Sequence, residues 1–400
     1  MGYEQWVDEL NTNYGETVEW RRHIHQYPEP SFEEKNTAEY IVNKLKEFEI
    51  DDIRTNVGNG YGIVAKISGS KPGKTIAFRA DIDALRLQEE ADIPFRSKNP
   101  GIMHACGHDV HAATLLSVAK VLQNNREELA GNVVLMFQPA EECPPGGAES
   151  MVKDGCLDGV DYVFGLHVMS MVKLGDLGYF THFGSACSDT FTIEIQGKGG
   201  HGAMPHTTID SVVIGAHVVT QLQSLVSRYI DPLKPAVLTF AGFHAGGAAD
   251  NIIADNAILN GTVRTLNSDV RDLMEEQIKK MSNEIVHSFG GKAKIDYSRG
   301  YPSLENTTEE TERLKTLLVS KFGETKVSEF TVTMGGEDFA YYLQKKPGSF
   351  FNVGAGNDEI NANYPHHHPK FKIDEKSMLV GGKAFLALVE DYLLNEKVSK

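Results

Sequence analysis

Strands alternate with helices from about residue 61 to 168, the pattern breaks at about 188, and it resumes after 300. That interruption constrains the fold more than any other feature of the chain. YGIVAKI (61–67) and TIAFRAD (75–81) read as strands joined by the turn SGSKPGK. A helix near 109–124, the strand NVVLMF (132–137), a helix near 147–154 and the strand DYVFGLHV (161–168) follow. Alternation of this kind builds a parallel or mixed sheet flanked by helices. From 189 the order changes. DTFTIEIQ alternates in period two, 208–229 reads as a long amphipathic helix, and strands are expected at 236–243 and 257–264. A helix at 268–288 and the strand KAKIDYS (292–298) complete a β-α-β-β-α-β order, the ferredoxin-like split arrangement. The fold class is therefore α/β: a discontinuous domain (1–186 and 300–400) with a mixed sheet flanked by helices, plus an inserted ferredoxin-like α+β domain (187–299).

The flanks fit this plan. Residues 3–26 read as helix, stopped by Pro28 and Pro30, and Ser31 with Glu34 forms a capping box for a second helix. Ile41, Leu45 and Phe48 give that helix one buried face. After 300, a helix near 308–321, the strand FFNVGAG and a helix near 377–394 resume the α/β rhythm. At 400 residues two domains are expected. Thirty-nine basic against 55 acidic residues give a net charge of −16, which argues against nucleic acid and anionic membrane surfaces as partners. No apolar run approaches the roughly 20 residues of a membrane span. The opening MGYEQWVDEL is acidic and amphipathic, not a signal peptide, so a cytoplasmic location is expected. Four cysteines (106, 143, 156 and 187) are too few and too irregular for a disulfide scaffold.

Four motifs carry chemistry. In Met103-His-Ala-Cys-Gly-His-Asp-Val-His111, three histidines, a cysteine and an aspartate crowd a loop and the start of a helix. Cys106 and His108 offer thiolate and imidazole to a borderline-soft divalent cation, and Gly107 permits a tight bend between them. Phe137-Gln-Pro-Ala-Glu-Glu142 follows a buried strand, where α/β sheets place their ligand sites. Two adjacent carboxylates divide the labour, one binding metal and the other serving as general base. His167, in Gly-Leu-His-Val, converges with these at the end of the next strand. In Tyr364-Pro-His-His-His-Pro-Lys-Phe371, prolines stiffen a histidine triplet of which one member reaches the metal, and spacing does not select which. Gly199-Gly-His-Gly-Ala-Met-Pro-His206, Asn251 and Arg264 form a further set within the insertion.

Taken together, HACGHDVH, FQPAEE, GLHV, GGHGAMPH, NIIADNAILNGTVRT, MGGEDFAYY and HHHPKF resemble the metal-dependent amidohydrolases. That family includes hippurate hydrolases, N-acyl-amino-acid hydrolases and auxin-conjugate hydrolases, a branch of the aminoacylase and carboxypeptidase metallopeptidase superfamily. The resemblance implies two divalent metal ions per subunit, manganese or zinc foremost with cobalt or nickel as substitutes. Its implied ligands are Cys106, His108, Glu142, His167 and His367, the last selected by the Pro369 and aromatic Phe371 that follow it. Glu141 matches the general base, His201 the oxyanion-stabilising histidine, and Asn251 and Arg264 the positions that meet the substrate carboxylate or the domain interface. Asp81, Asp109 and His111 are implied to support the ligands.

The implied reaction is hydrolysis of the amide bond of N-acyl amino acids or short peptides, with a metal-bridged water activated by Glu141. Closure of the inserted domain, carrying His201, is expected to complete the site, and that domain is also expected to make a homodimer or homotetramer. A dipeptidase, aminopeptidase, endopeptidase or N-acetyl-diaminopimelate deacetylase would use the same residues. A non-catalytic metal-binding module would not require Glu141. A cysteine-nucleophile hydrolase would use Cys106 as a free thiolate.

Overall fold

A computed structural model describes residues 2–247 and 249–394, so Met1, Ala248 and 395–400 lie outside the described residues. The chain divides into two compact units, residues 1–184, 305–331 and 338–400 on one side and 185–304 with 332–337 on the other. Against the expected insertion at 187–299, the second unit also claims 332–337. The Ala186 amide donates to the Gly335 carbonyl, and Ser185 bridges Thr333 in parallel.

The first unit holds an eight-stranded mixed sheet among the described residues. Its order is Asp52–Val57, Gly62–Ser68, Ala130–Gln138, Lys71–Asp81, Tyr162–Lys173, Gly348–Gly356, Leu177–Tyr179 and Val327–Glu329. The strand Lys71–Asp81 runs parallel to both its neighbours, which brings Asp81 level with Gln138. The helix His108–Asn124 is buried on almost every face, as expected of an apolar segment enclosed between a sheet and other helices. Phe78, fully buried on the sheet, lies 4.5 Å from the Phe385 ring of the C-terminal helix Ser377–Leu393.

Several element limits depart from the sequence reading. The stretch 3–26 is two helices, Tyr3–Thr12 and Tyr14–Gln26, broken where the Thr12 hydroxyl turns back onto the Asp8 carbonyl. Ser31 does not open a helix, because the next one begins at Lys35. Its first amides are satisfied by Glu29, whose carboxylate accepts from Asn36 N (3.1 Å) and Thr37 N (2.8 Å). The strand bearing His167 continues to Lys173, so His167 is not at its end. The neighbouring strand pairs with it only as far as Arg79 opposite Gly165, and His167 lies just past that limit.

The second unit is built on a four-stranded antiparallel sheet in the order Ala236–Ala245, Asn256–Thr265, Asp189–Gln196, Lys292–Ser298. Phe191, Ile193 and Ile195 share its core with Ile214, Val218, Met274 and Ile278 from the helices Ser211–Leu222 and Ser268–Ser288. Helix 208–229 of the sequence reading is shorter because Asp210 caps it, accepting from Val212 N and Val213 N. A five-residue π-turn, Leu225–Tyr229, follows it.

The aromatic contact between sheet and C-terminal helix is expected to carry much of the first unit's stability. Phe78→Ala should cost about 3–5 kcal/mol, measured by urea denaturation of metal-free protein. A cost near zero would show that Phe78 is not part of a close-packed core.

Candidate active site

The motif loop and its helix meet at Gly107, which adopts φ 97°. A side chain there would strain the backbone and bring a Cβ to 2.5 Å from Val168 Cγ2, so the bend between Cys106 and His108 requires glycine. The acidic pair follows the strand Ala130–Gln138, and Ala140, just before it, also takes a left-handed backbone (φ 55°).

These segments bring six of the sequence-selected side chains together in the first unit. The donor atoms of Cys106, His108 and His167 lie within 4.8 Å of one another, as do those of Cys106, Glu142 and His367, and those of His108, Glu141 and Glu142. His108 and His167 are each oriented by the nitrogen that faces away from the cluster. His108 Nδ1–H donates to the Asp83 carbonyl at 2.9 Å, leaving Nε2 buried without a hydrogen-bond partner. His167 Nδ1–H donates to the Val168 carbonyl at 2.7 Å, which turns Nε2 towards Cys106 Sγ at 3.4 Å. Histidines that hold a metal are fixed in this manner by the groups behind them.

The triplet is divided by its contacts. His366 Nε2–H donates to the Val168 carbonyl at 2.9 Å, whereas His368 stacks on Tyr364 and accepts from Lys370 N. His367, held by a backbone bond from its amide to the Ala105 carbonyl, points Nε2 to 3.2 Å from Glu142 Oε1. His111 has both nitrogens engaged, donating through Nδ1 to Asp81 at 2.6 Å and accepting at Nε2 from Val168 N at 2.9 Å. His104 is buried, and burial lowers its pKa to about 4.

Electrostatics define what the cluster suits. Burial opposes protonation of His108, but Asp81, Asp83 and Glu142 outweigh it and raise its pKa to about 10. Burial, reinforced by Glu142, Glu141 and Asp81, pushes the Cys106 thiol well above its ordinary value. A thiol held in its protonated form beside carboxylates is a poor free nucleophile. The same thiol, with the unpartnered His108 Nε2 and the Glu142 carboxylate, forms a soft and hard donor set that fits divalent cations.

The supports reach further than the sequence reading did. Arg79 joins Asp81 (2.6 Å), Gln138 (2.7 Å) and Asp338 (2.8 Å) in the interior. Asp109 is held by Arg21 Nε (2.6 Å) and His25 Nδ1 (2.8 Å), and His25 Nε2 continues to Glu89 (3.1 Å). Arg21, His25 and Glu89 escaped the sequence reading. The available signal was Arg21 and His25 at helical i,i+4 spacing beside the apolar Trp20 and Ile24. The remaining selected residues belong to the second unit. His201 and Asn251 are exposed; His201 pairs with Ile252 in a short two-stranded ladder, and Gly202 N donates to the carbonyl of Asn251, which precedes Ile252. Arg264 is half-buried on the strand Asn256–Thr265, with Nη1 lacking a hydrogen-bond partner.

A mixed α/β sheet with a cation-binding donor set and paired acids after one strand defines a metal-dependent hydrolase. Residues 77–391 match the model of peptidase family M20/M25/M40. YhaA of Bacillus subtilis (strain 168) is 45% identical across 96% of both chains. The N-acyl-L-amino acid amidohydrolase of Geobacillus stearothermophilus is 43% identical over 76% of this chain and 80% of its own. Among solved structures, the YXEP protein of Bacillus subtilis, described as a dinuclear metal binding peptidase, superposes with a TM-score of 0.81 at 32% identity, over 95% of this chain and 98% of its own. The chain belongs to peptidase family M20/M25/M40, within the metal-dependent amidohydrolases. No helix among the described residues is long and apolar enough to cross a membrane.

The Arg21 network gives a test by pH. Burial works to raise the Asp109 pKa, but Arg21 and then His25 hold it well below the carboxylate range. With the folded pKa depressed, its stabilising contribution is present above the ordinary value of 3.8 and is lost as pH falls towards the folded value. Arg21→Leu should therefore cost about 3–5 kcal/mol at neutral pH, and the deficit should shrink below about pH 4. Urea titrations of wild type and variant across that range check it, and a deficit independent of pH would contradict the assignment.

Proposed function

We propose that this protein hydrolyses the amide bond of N-acyl amino acids, with Glu141 as the general base and Cys106, His108, Glu142, His167 and His367 as the metal ligands. The observation that carries this reading is the pair Glu141–Glu142 beside His108, whose buried Nε2 has no hydrogen-bond partner. Divalent ions in this donor set, manganese or zinc, supply Lewis-acid charge that acidifies water and polarises a carbonyl. Glu141 accepts the proton of the attacking water and delivers it to the departing amine. Glu142 is committed to the cation, so neighbouring carboxylates of one loop perform two tasks. Asp83 and Val168 fix the imidazoles of His108 and His167 so that Nε2 is the ligating atom of each.

The second unit is read as a ferredoxin-like insertion, on its strand order of two antiparallel hairpin partners with helices on one face. On the resemblance of its motifs, His201 is read as the oxyanion-stabilising residue, Asn251 and Arg264 as meeting the substrate carboxylate or the domain interface, and this unit as the surface for homo-oligomer assembly. The relationship to an N-acyl-L-amino acid amidohydrolase supports that substrate class.

The test is release of free amino acid from N-acetyl, N-benzoyl and dipeptide substrates by chelator-treated protein reconstituted with manganese, zinc or cobalt. Activity should vanish on chelation and return with metal. Glu141→Gln should retain the metal load and lose about 10²–10⁴-fold in kcat. Substantial turnover by that variant would remove Glu141 from the role of base, and preferential cleavage of dipeptides would reassign the protein to the peptidases.

A further inference from the structure

Ser31 and Glu34 have the spacing of a capping box, and Glu34 stands at the N-cap of the helix that follows, yet neither side chain caps it. Glu34 is fully buried, and its Oε1 accepts from Phe32 N at 2.9 Å and from Ala140 N at 2.8 Å. Both donors are non-glycine residues in the left-handed region, Phe32 at φ 68° and Ala140 at φ 55°. Such conformations cost energy and persist only where surrounding bonds enforce them. One oxygen therefore enforces two of them. Ser31 Oγ–H donates to Asp83 Oδ2 at 2.7 Å, and the same oxygen accepts from Glu142 N at 3.0 Å. The turn consequently holds the amide on each side of Glu141: that of residue 140 directly, and that of residue 142 through Asp83. Turn and sheet are joined by backbone as well, with Ala84 N donating to the Glu29 carbonyl at 2.8 Å.

We infer that the turn 31–34 is a clamp on the acidic loop and that Glu34 is a positioning residue for Glu141, acting through the Ala140 amide. Glu34 touches no reacting atom. It sets the backbone from which the Glu141 carboxylate projects, and a misplacement of about 1 Å at a general base can cost about 10²-fold in rate. Burial, aided by the Asp83 charge, raises the Glu34 carboxyl to about 8, so the group is largely neutral at pH 7 and glutamine is its close analogue. The requirement is for an acceptor at Oε1 and not for a charge. This inference rests on the reading of Glu141 as the base.

The experiment compares wild type, Glu34→Ala, Glu34→Leu, Glu34→Gln and Glu141→Gln, each metal-reconstituted, in kcat, KM, metal content and hydrogen exchange at the Ala140 amide. Glu34→Ala and the cavity-filling Glu34→Leu should lose about 10²-fold in kcat with KM and metal content unchanged, and the Ala140 amide should exchange faster. Glu34→Gln should restore kcat to within a small factor of wild type and restore the amide's protection. A folded Glu34→Ala or Glu34→Leu protein with wild-type kcat overturns the inference, as does a Glu34→Gln protein as impaired as either. If both apolar variants fail to fold, Glu34→Gln alone decides: wild-type kcat with a protected Ala140 amide upholds the acceptor role, and loss of either overturns it. An active Glu141→Gln protein instead overturns the base assignment, which separates the two failures.

Discussion

Four carboxylates, Asp81, Asp83, Glu141 and Glu142, face His108 in a buried pocket, and the rest of the first unit is arranged to make that tolerable. Charges of one sign removed from water repel one another and lose hydration, so such a cluster is stable only with compensating cations and fixed dipoles. The protein supplies part of the compensation itself. Arg79 holds Asp81 from within the sheet, the Glu142 amide serves Asp83, and His108 takes up a proton or a metal at the centre. The remainder is the demand that divalent ions satisfy.

The same demand explains the polar interior behind the site. A loop that presents Cys106 and His108 cannot shift without moving both donors, so its anchors are ionic and desolvated. Asp109, adjacent in sequence to His108, is tied to the helix Tyr14–Gln26 through Arg21 and His25. His111, one turn further on, is tied to Asp81 and to the amide next to His167. Bonds of this kind contribute little net stability against apolar packing, but losing one partner leaves a buried charge exposed to its neighbours' fields. The catalytic geometry is thereby coupled to the integrity of the fold.

Much of this was legible in the residues. Cys-Gly-His beside a strand–helix junction, and Glu-Glu after an apolar strand, combine residue types that ordinary packing does not call for, and the structure brings them together. The histidine triplet was not legible from spacing, since three adjacent imidazoles differ only in what surrounds them. Val168, Glu142 and Lys370 distinguish them, through contacts made across up to 225 residues of chain. Ser31 and Glu34 show the opposite failure. A local rule assigned them to the nearest helix, and partners distant in sequence, Asp83 and Ala140, took their hydrogen bonds instead.

The sequence by itself determined the α/β alternation, its interruption and the donor types in the motifs, because periodicity and residue chemistry are local properties. Tertiary structure decided which histidine faces Glu142, which nitrogen of each ring is left free, and which buried side chains fix the acidic loop. Those are matters of which groups compete for the same hydrogen bond once water is excluded, and that competition exists only after the chain has folded.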